Sequence, residues 1–250
     1  MELGITGYLK TRDMQYHVVT YATHNHGLFG KLVDNAYSVP ITVLGWGQAW
    51  RGFTDKLRAM EEFCATVAPS DVVIFVDGFD SLINRHPKEA IDRFEAINPP
   101  TGILVSVEPP WILGSVFGSN YQRCRINSGM YMGYVQTVRH FLRHVLLTGA
   151  QDDQLGFNNS CDLVDTDISS VIFRNLPLRT NGPTVCSRNT NHLNTVFVSF
   201  PGSQGCVAPP QLMVRSLHRM TLYFWPWALA LLVYLVTSVV LFKMGQVSRR

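Results

Sequence analysis

Short apolar runs rich in β-branched residues alternate along this chain with segments of helical periodicity. The apolar runs predict four strands, HVVTYAT (17–23), ITVLGWG (41–47), DVVIFVD (71–77) and GILVSVE (102–108). The helical segments are TDKLRAMEEFCATV (54–67), HPKEAIDRFEAI (86–97) and VQTVRHFLRHVLLTG (135–149). Alternating strands and helices predict an α/β fold with a mostly parallel sheet and flanking helices.

The last third of the chain has a different pattern. After about residue 180 it becomes rich in Asn, Thr, Pro and Gly, which predicts loops as far as residue 212 with one short strand, TVFVSF (195–200). We therefore expect a single globular domain over residues 1–212.

An uncharged apolar segment, TLYFWPWALALLVYLVTSVVLF, covers residues 221–242. A helix of this length spans the roughly 30 Å hydrocarbon layer of a bilayer, and aromatic residues cluster at its start, as they do at a membrane interface. The segment predicts a single C-terminal transmembrane helix, with the lipid bilayer as a partner and a short basic tail at 243–250. A buried core helix is the alternative interpretation.

Orientation in the membrane stays open. Two arginines precede the predicted span and three basic residues follow it, a slight excess that favours a cytoplasmic tail. The N-terminal residues show no basic stretch followed by an apolar core, so a cleaved signal peptide is not expected. A lumenal domain could use the sequon Asn158-Asn159-Ser160, whereas a C-terminal span alone would leave the domain in the cytosol.

Composition narrows the function classes. The net charge is +3 and the 21 basic residues are scattered, so no nucleic-acid partner is expected. The 5 cysteines are odd in number and show no CxxC spacing, which argues against a zinc site and a disulfide-dense scaffold. They do not decide the redox compartment.

Two carboxylates end one of the most hydrophobic runs, in VIFVDGFDSL (73–82). Asp77 and Asp80 follow a strand predicted to be buried, where ligands of open α/β sheets lie. Neighbouring carboxylates repel unless a cation or proton intervenes, so the pair predicts a divalent metal site. Alternatively, Asp77 and Gly78 form a turn and Asp80 caps a following helix. A phosphatase with an aspartate nucleophile is disfavoured, because its second acid typically follows two residues later.

Two further segments carry polar groups. Asp152 and Asp153 are adjacent in QDDQLGFN, and because adjacent residues point in different directions, at most one is expected to enter a shared site. RINSGMYMGY (125–134) offers Asn127, Ser128 and Gly129 before an apolar run, and by itself predicts a turn.

The order of these pieces is more specific than any one of them. VVTYAT, VLGWGQAWRG, the helical Lys56, VIFVDGFDSLI, VSVEPPW, INSGMYMG and DDQ occur in one succession. Over roughly residues 17–205 this succession resembles the glycosyltransferase domain of the procollagen lysyl hydroxylase family. The resemblance implies a GT-A type α/β fold that transfers a hexose from a UDP-sugar to a hydroxyl acceptor on a protein or glycan. It also implies Mn²⁺, or Mg²⁺, at the diphosphate.

The resemblance implies roles for individual residues. Asp77 and Asp80 match the metal ligands, and Phe79 matches an aromatic residue that lies against the uracil. The remaining donor-binding positions are Thr20, Thr23, Trp50, Arg51, Lys56, Trp111, Asn127, Ser128 and Gly129. Asp152 and Asp153 match acids near the reacting carbon of the sugar.

One departure from the family pattern leaves two functional hypotheses open. The family supplies a third metal ligand from a histidine near the end of the domain, and Ser199 stands at that position here. A membrane-anchored UDP-hexose glycosyltransferase in an endoplasmic reticulum or Golgi membrane is the first hypothesis. The second is a catalytically inactive homologue that binds a sugar nucleotide or a partner.

Overall fold

Nine strands organise the residues that the computed structural model describes, which are 14–108, 124–176 and 190–201. They are β1 (Tyr16–Tyr21), β2 (Ile41–Leu44), β3 (Val72–Val76), β4 (Ser81–Ile83), β5 (Ile103–Val107), β6 (Ile126–Tyr134), β7 (Asp165–Thr166), β8 (Phe173–Asn175) and β9 (Phe197–Ser199). Six of them form a central sheet in the order β2-β1-β3-β6-β5-β7, and three form a small sheet in the order β4-β9-β8.

The central sheet is mostly parallel, as predicted, but it contains one reversed strand. β1 pairs in parallel with β2 and β3, and β5 with β7, whereas β6 lies antiparallel between β3 and β5. The prediction of a turn at 125–134 was therefore wrong. This segment starts with small and polar residues that hide a strand pattern, although Met130, Tyr131 and Met132 are all buried.

Five α-helices accompany the strands in the described part of the chain: α1 (Phe29–Val33), α2 (Thr54–Cys64), α3 (Lys88–Ile97), α4 (Val135–Leu147) and α5 (Asp153–Asn159). The three helices predicted from periodicity are confirmed as α2, α3 and α4, each ending within three residues of the predicted bounds. α1 and α5 were not predicted, because five and seven residues are too short to show an apolar stripe.

Helices cover both faces of the sheet. On one face, α2 and α4 pack with Phe75 and Tyr131 in a single apolar cluster. On the other, α3 packs with Ile74, Met132 and Phe197, so the small sheet contributes to this second cluster. A strand buried on both faces reads as a continuous apolar run, which explains why β3 was evident in the sequence.

The small sheet returns the late part of the chain to the turn that follows β3. β9 lies within the predicted strand at 195–200 and pairs antiparallel with β4, with Ser81 opposite Ser199. The chain segment just after Asp80 is thereby joined to residues more than a hundred positions later.

Helix α5 is tied to the start of β6. The Asn158 side chain accepts a hydrogen bond from Ile126 N at 3.2 Å and donates one to Ile126 O at 3.0 Å. Cys124 and Cys161 form a disulfide between the same two regions. Since the Asn158 amide is fully buried and engaged, the prediction that this sequon could be used is wrong for the folded domain.

Among the described residues no helix is both long and apolar enough to cross a bilayer. The predicted span at 221–242 lies outside the described residues and stays a prediction.

Gly133 in β6 provides a test of how closely this strand packs. A Cβ there would lie 2.5 Å from the backbone oxygen of Gly102 and 3.0 Å from Val138 Cγ2. We expect Gly133→Ala to lower the free energy of unfolding by about 2 kcal/mol in urea titrations, because backbone on both strands must move apart. Gly30→Ala is the control, since the nearest atom to its Cβ is 3.9 Å away. Equal effects of the two substitutions would contradict the close approach.

Candidate active site

The candidate site lies at the edge of the central sheet where the parallel strands end. Asp77 directly follows β3, and its backbone N donates to Gly129 O in β6 at 2.7 Å. Because β6 runs in reverse, its first residues lie at the same edge as the last residues of β3 and β5. This geometry brings two segments fifty residues apart into one site.

A buried lysine forms the centre of the site. Lys56 extends from α2 and is only 8% exposed. Its ammonium contacts Asp153 Oδ2 and lies 3.7 Å from Asp77 Oδ2. Ser128 Oγ donates to the same Asp153 oxygen at 2.7 Å. Residues from α2, β6, α5 and the end of β3 thus meet in one cluster of ion pairs and hydrogen bonds, which we name the Lys56 cluster (Lys56, Asp77, Ser128, Asp153).

The neighbouring acids keep Lys56 charged. Burial works to lower the pKa of Lys56, but the negative charges of Asp153 and Asp77 outweigh it, and the pKa lies above its ordinary value. Phe75 adds a ring 5.9 Å from the ammonium. The site therefore holds a fixed positive charge between carboxylates.

Asp77 and Asp80 lie on the turn between β3 and β4. Asp77 Oδ1 accepts from the backbone N of Phe79 at 3.2 Å, and Asp80 Oδ1 accepts from Ser199 Oγ at 2.9 Å and Ser81 Oγ at 3.4 Å. Asp80 leads into a strand, so the alternative that it caps a helix is wrong. Removal from water, together with the charge of Asp77, raises the pKa of Asp80 to about 7.

A second network lies beside the Lys56 cluster. Glu108, one residue past β5, accepts from Asn127 Nδ2 at 2.6 Å and from Gln154 Nε2 at 3.2 Å. Asn127 Oδ1 in turn accepts from Gly129 N at 2.9 Å, and a Cβ at Gly129 would lie 2.9 Å from that oxygen. Only a glycine leaves Asn127 undisturbed here.

Aromatic side chains surround the turn. The Phe79 ring lies 5.3 Å from His24 and 5.5 Å from His26, measured between ring centroids. Trp50 is 48% exposed and makes an edge contact with Tyr21 at 5.8 Å. Phe79 and its two histidine neighbours offer ring surface beside the acids, and Trp50 offers a further half-exposed ring.

Some predicted residues make different contacts. Thr20 Oγ1 donates to Val76 O at 2.7 Å and is fully buried, so it ties β1 to β3. Thr23 Oγ1 lies 2.9 Å from His24 Nδ1.

Asp152 caps α5 by accepting from Leu155 N at 2.9 Å, while Asp153 enters the Lys56 cluster. Arg51 is held through its backbone N, which donates to Asp55 Oδ2 at 2.8 Å. Trp111 lies outside the described residues.

Sequence reasoning did not select Glu108, Gln154, His24 or His26. Glu108 and Gln154 stand within the quoted segments VSVEPPW and DDQ, at a predicted strand end and beside the acid pair. The contact of Glu108 with Asn127 depends on the β5–β6 register, which shifts between Val105 and Ser106. Position at a strand end was the one available signal.

Comparison with known proteins assigns the family. The family model described as the PLOD GT domain matches residues 12–181, more than half of the chain. The chain belongs to the PLOD GT domain family. The family resemblance inferred from the order of the motifs is thereby confirmed, and the mixed, mostly parallel sheet fits a GT-A glycosyltransferase domain.

The curated relatives of this family member are much longer proteins. One is the multifunctional procollagen lysine hydroxylase and glycosyltransferase of Caenorhabditis elegans, 27% identical over 64% of this chain and 25% of the relative. Another is the human procollagen-lysine,2-oxoglutarate 5-dioxygenase 2, 29% identical over 55% of this chain and 21% of the relative. The chain thus spans about a quarter or less of the length of these relatives.

The carboxylate oxygens of the turn suit a hard divalent cation that takes its remaining ligands from phosphate and water. Within the described residues no group of three or more His, Cys, Asp or Glu side chains is arranged to hold a metal ion. Asp77 and Asp80 nevertheless offer carboxylate oxygens on one turn, and burial together with the charge of Asp77 raises the pKa of Asp80. Mg²⁺ and Mn²⁺ are commonly bound by one or two carboxylates together with phosphate oxygens and water.

Asp80→Asn tests the repulsion at this turn. A carboxyl group with a raised pKa binds protons in the folded state that the unfolded state has lost, so its ionisation lowers stability as the pH rises from about 4 to about 7. With EDTA at pH 8, we expect Asp80→Asn to raise the free energy of unfolding by about 2 kcal/mol. At pH 4 the difference should vanish.

The matched control for this experiment is Asp92→Asn. Asp92 is an exposed partner of Lys88 on α3, and its substitution should change stability little and without this pH window. A lower stability of Asp80→Asn at pH 8 would contradict the repulsion.

Proposed function

We propose that this chain is a glycosyltransferase that transfers a hexose from a UDP-sugar to a hydroxyl acceptor with the help of a divalent ion. Hydroxylysine of a collagen-like protein is the acceptor that the names of the relatives suggest, and a glycan hydroxyl is the other member of this class. The observation that carries the proposal is the Lys56 cluster beside the Asp77–Asp80 turn, at the sheet edge where α/β proteins bind nucleotides.

The turn and Lys56 suit a diphosphate leaving group. Asp77 and Asp80 would hold the divalent ion, which when bound supplies positive charge at the diphosphate. The buried Lys56 ammonium lies beside Asp77 and adds a fixed cation to the same region. Phe79 offers a ring for the base, with His24 and His26 against it. Positive charge arranged before the reaction stabilises the UDP that departs.

Asp153 suits the sugar side of the reaction. Its carboxylate is 3% exposed and is oriented by Ser128 and Lys56, so it has a fixed direction. A carboxylate in this position can orient the acceptor hydroxyl or stabilise the positive charge that develops on the sugar ring. Asp152 serves this carboxylate indirectly, because its cap begins the helix on which Asp153 stands.

The compartment we propose is the lumen of the secretory pathway, with an endoplasmic reticulum or Golgi membrane as the setting. The Cys124–Cys161 disulfide supports an oxidising compartment, since such bonds are rare in the cytosol. Single-pass anchoring through residues 221–242 belongs to the same proposal and rests on the hydropathy of that segment.

One observation favours an inactive homologue as the second candidate. Ser199 stands where the family resemblance places a metal-binding histidine, and its hydroxyl hydrogen-bonds to Asp80 at 2.9 Å. A hydroxyl is a weaker metal ligand than an imidazole, so a sugar nucleotide could be bound without rapid transfer.

Turnover of UDP-sugars separates the two candidates. We expect the wild type to release UDP from one donor in a panel of UDP-sugars, faster with Mn²⁺ than with EDTA. Asp77→Asn should lower this rate at least about a hundred-fold, because it removes a carboxylate at the diphosphate. Asp92→Asn is the matched control and should leave the rate unchanged. Thermal stabilisation by UDP-sugars without turnover would favour the inactive homologue.

Ser199→His tests whether the missing ligand limits metal binding. The side chain at 199 already touches Asp80, so an imidazole there can join the carboxylates. We expect the folded variant to bind Mn²⁺ on the order of ten-fold more tightly than wild type in calorimetric titrations. Ser199→Ala should bring no gain. Equal Mn²⁺ affinity of wild type and folded Ser199→His would show that no ligand is missing.

A further inference from the structure

The one disulfide among the described residues joins the two chain segments that carry Ser128 and Asp153 of the Lys56 cluster. Cys124 stands two residues before β6, and Cys161 begins a short 3₁₀ turn two residues after α5. The bond therefore links the end of α5 to the start of the strand that carries Asn127 and Ser128. Neither the proposed transfer chemistry nor the family match gives this bond a role.

Helix α5 supplies side chains that reach the sheet edge. Near its start, Asp153 accepts from Ser128 at 2.7 Å and contacts Lys56. Gln154 donates to Glu108 at 3.2 Å. Two of the site networks thus depend on where this one helix lies.

Helix α5 needs external restraints to stay in place. It has seven residues, and helices this short are not stable alone in water. Asn158, near its end, bonds to both the N and the O of Ile126, as an additional strand residue would. The disulfide closes the same junction covalently, three residues further along. On its other side α5 meets α4, where a Cβ at Gly156 would lie 2.6 Å from Val145 Cγ1.

We infer that Cys124 and Cys161 are positioning residues of the transfer site: their disulfide, together with Asn158, fixes α5 on β6 and so sets the Asp153 carboxylate against Lys56 and Ser128. The inference rests on the proposed function for its catalytic consequence. A phosphine reductant supplies the two electrons that break the S–S bond and water supplies two protons, so the products are two thiols and the phosphine oxide. Turnover then depends on an oxidising environment, whereas binding at the Asp77–Asp80 turn does not.

The experiment compares the oxidised full chain, the chain treated with a phosphine, and the double variant Cys124→Ser/Cys161→Ser. We expect kcat for UDP-sugar turnover to fall about ten-fold or more in the last two, because small displacements of a reacting group cost large factors in rate. The KM for the donor should stay within about two-fold, since the disulfide joins α5 to β6 and not to the Asp77–Asp80 turn proposed to bind the diphosphate. The double variant should no longer respond to the reductant.

One further measurement and one control variant separate positioning from general stability. Hydrogen exchange of amides 153–159 and 126 should accelerate on reduction, while amides of β1 and β3 stay protected. Cys64→Ala is the matched control: Cys64 is a buried free thiol, and burial raises its pKa to about 12, so the variant should keep the redox response of wild type.

The outcomes decide the inference whether or not the proposed function holds. Unchanged exchange in α5 after reduction overturns it, and so does an unchanged kcat in a chain whose α5 has loosened. If the oxidised wild type turns over none of the UDP-sugars, the proposed function fails. Faster exchange confined to α5 and Ile126 after reduction would still support the inference that the disulfide fixes α5 on β6.

Discussion

The structure of the site depends on one buried cation. Lys56 is enclosed by protein and makes ion pairs with Asp153 and Asp77. Taking an ammonium out of water costs several kcal/mol unless acids compensate it, and removing one partner of such a group costs about 3–5 kcal/mol. The acids come from β3 and α5, and α2 brings the lysine. The charge balance therefore constrains the relative placement of three elements that are distant in sequence, and the core packing around them supports that placement.

The parts of the fold that could be predicted are those whose burial is visible in the pattern of residues. β3 is buried on both faces and reads as an apolar run, while α2, α3 and α4 each show one apolar stripe. β6 could not be recognised from its pattern, because Asn127, Ser128 and Gly129 occupy its first positions. Strand direction is also invisible in a local pattern, and the reversal of β6 is what turns three residues predicted as a turn into a wall of the site.

The place of Asp77 in the fold could be predicted, because position along a strand determines position in space. Asp77 follows β3, so any open α/β sheet exposes it at the ligand-binding edge. The different roles of Asp152 and Asp153 could not be predicted without the position of α5. Adjacent residues at the start of a helix point in different directions, so one carboxylate caps the helix and the other contacts Lys56. The pairing of Glu108 with Asn127 needed the irregular β5–β6 register, and the tie between Thr20 and β3 needed the direction of one hydroxyl. These depend on tertiary contacts that a single sequence does not display.

Charge also explains why a divalent ion is expected even though Ser199 is no strong ligand. With their carboxyl groups ionised, Asp77 and Asp153 of the Lys56 cluster and the neighbouring Asp80 share one cation, Lys56, so these four residues together carry a net negative charge of two. The sugar nucleotide of the proposed function would bring further negative charge to the same place, and at short range like charges repel by several kcal/mol. Under the proposed function, binding of a diphosphate here would therefore require added positive charge, whether or not a third protein ligand is present. Ser199 would then affect how tightly the ion is held, while the need for the ion comes from the acids themselves.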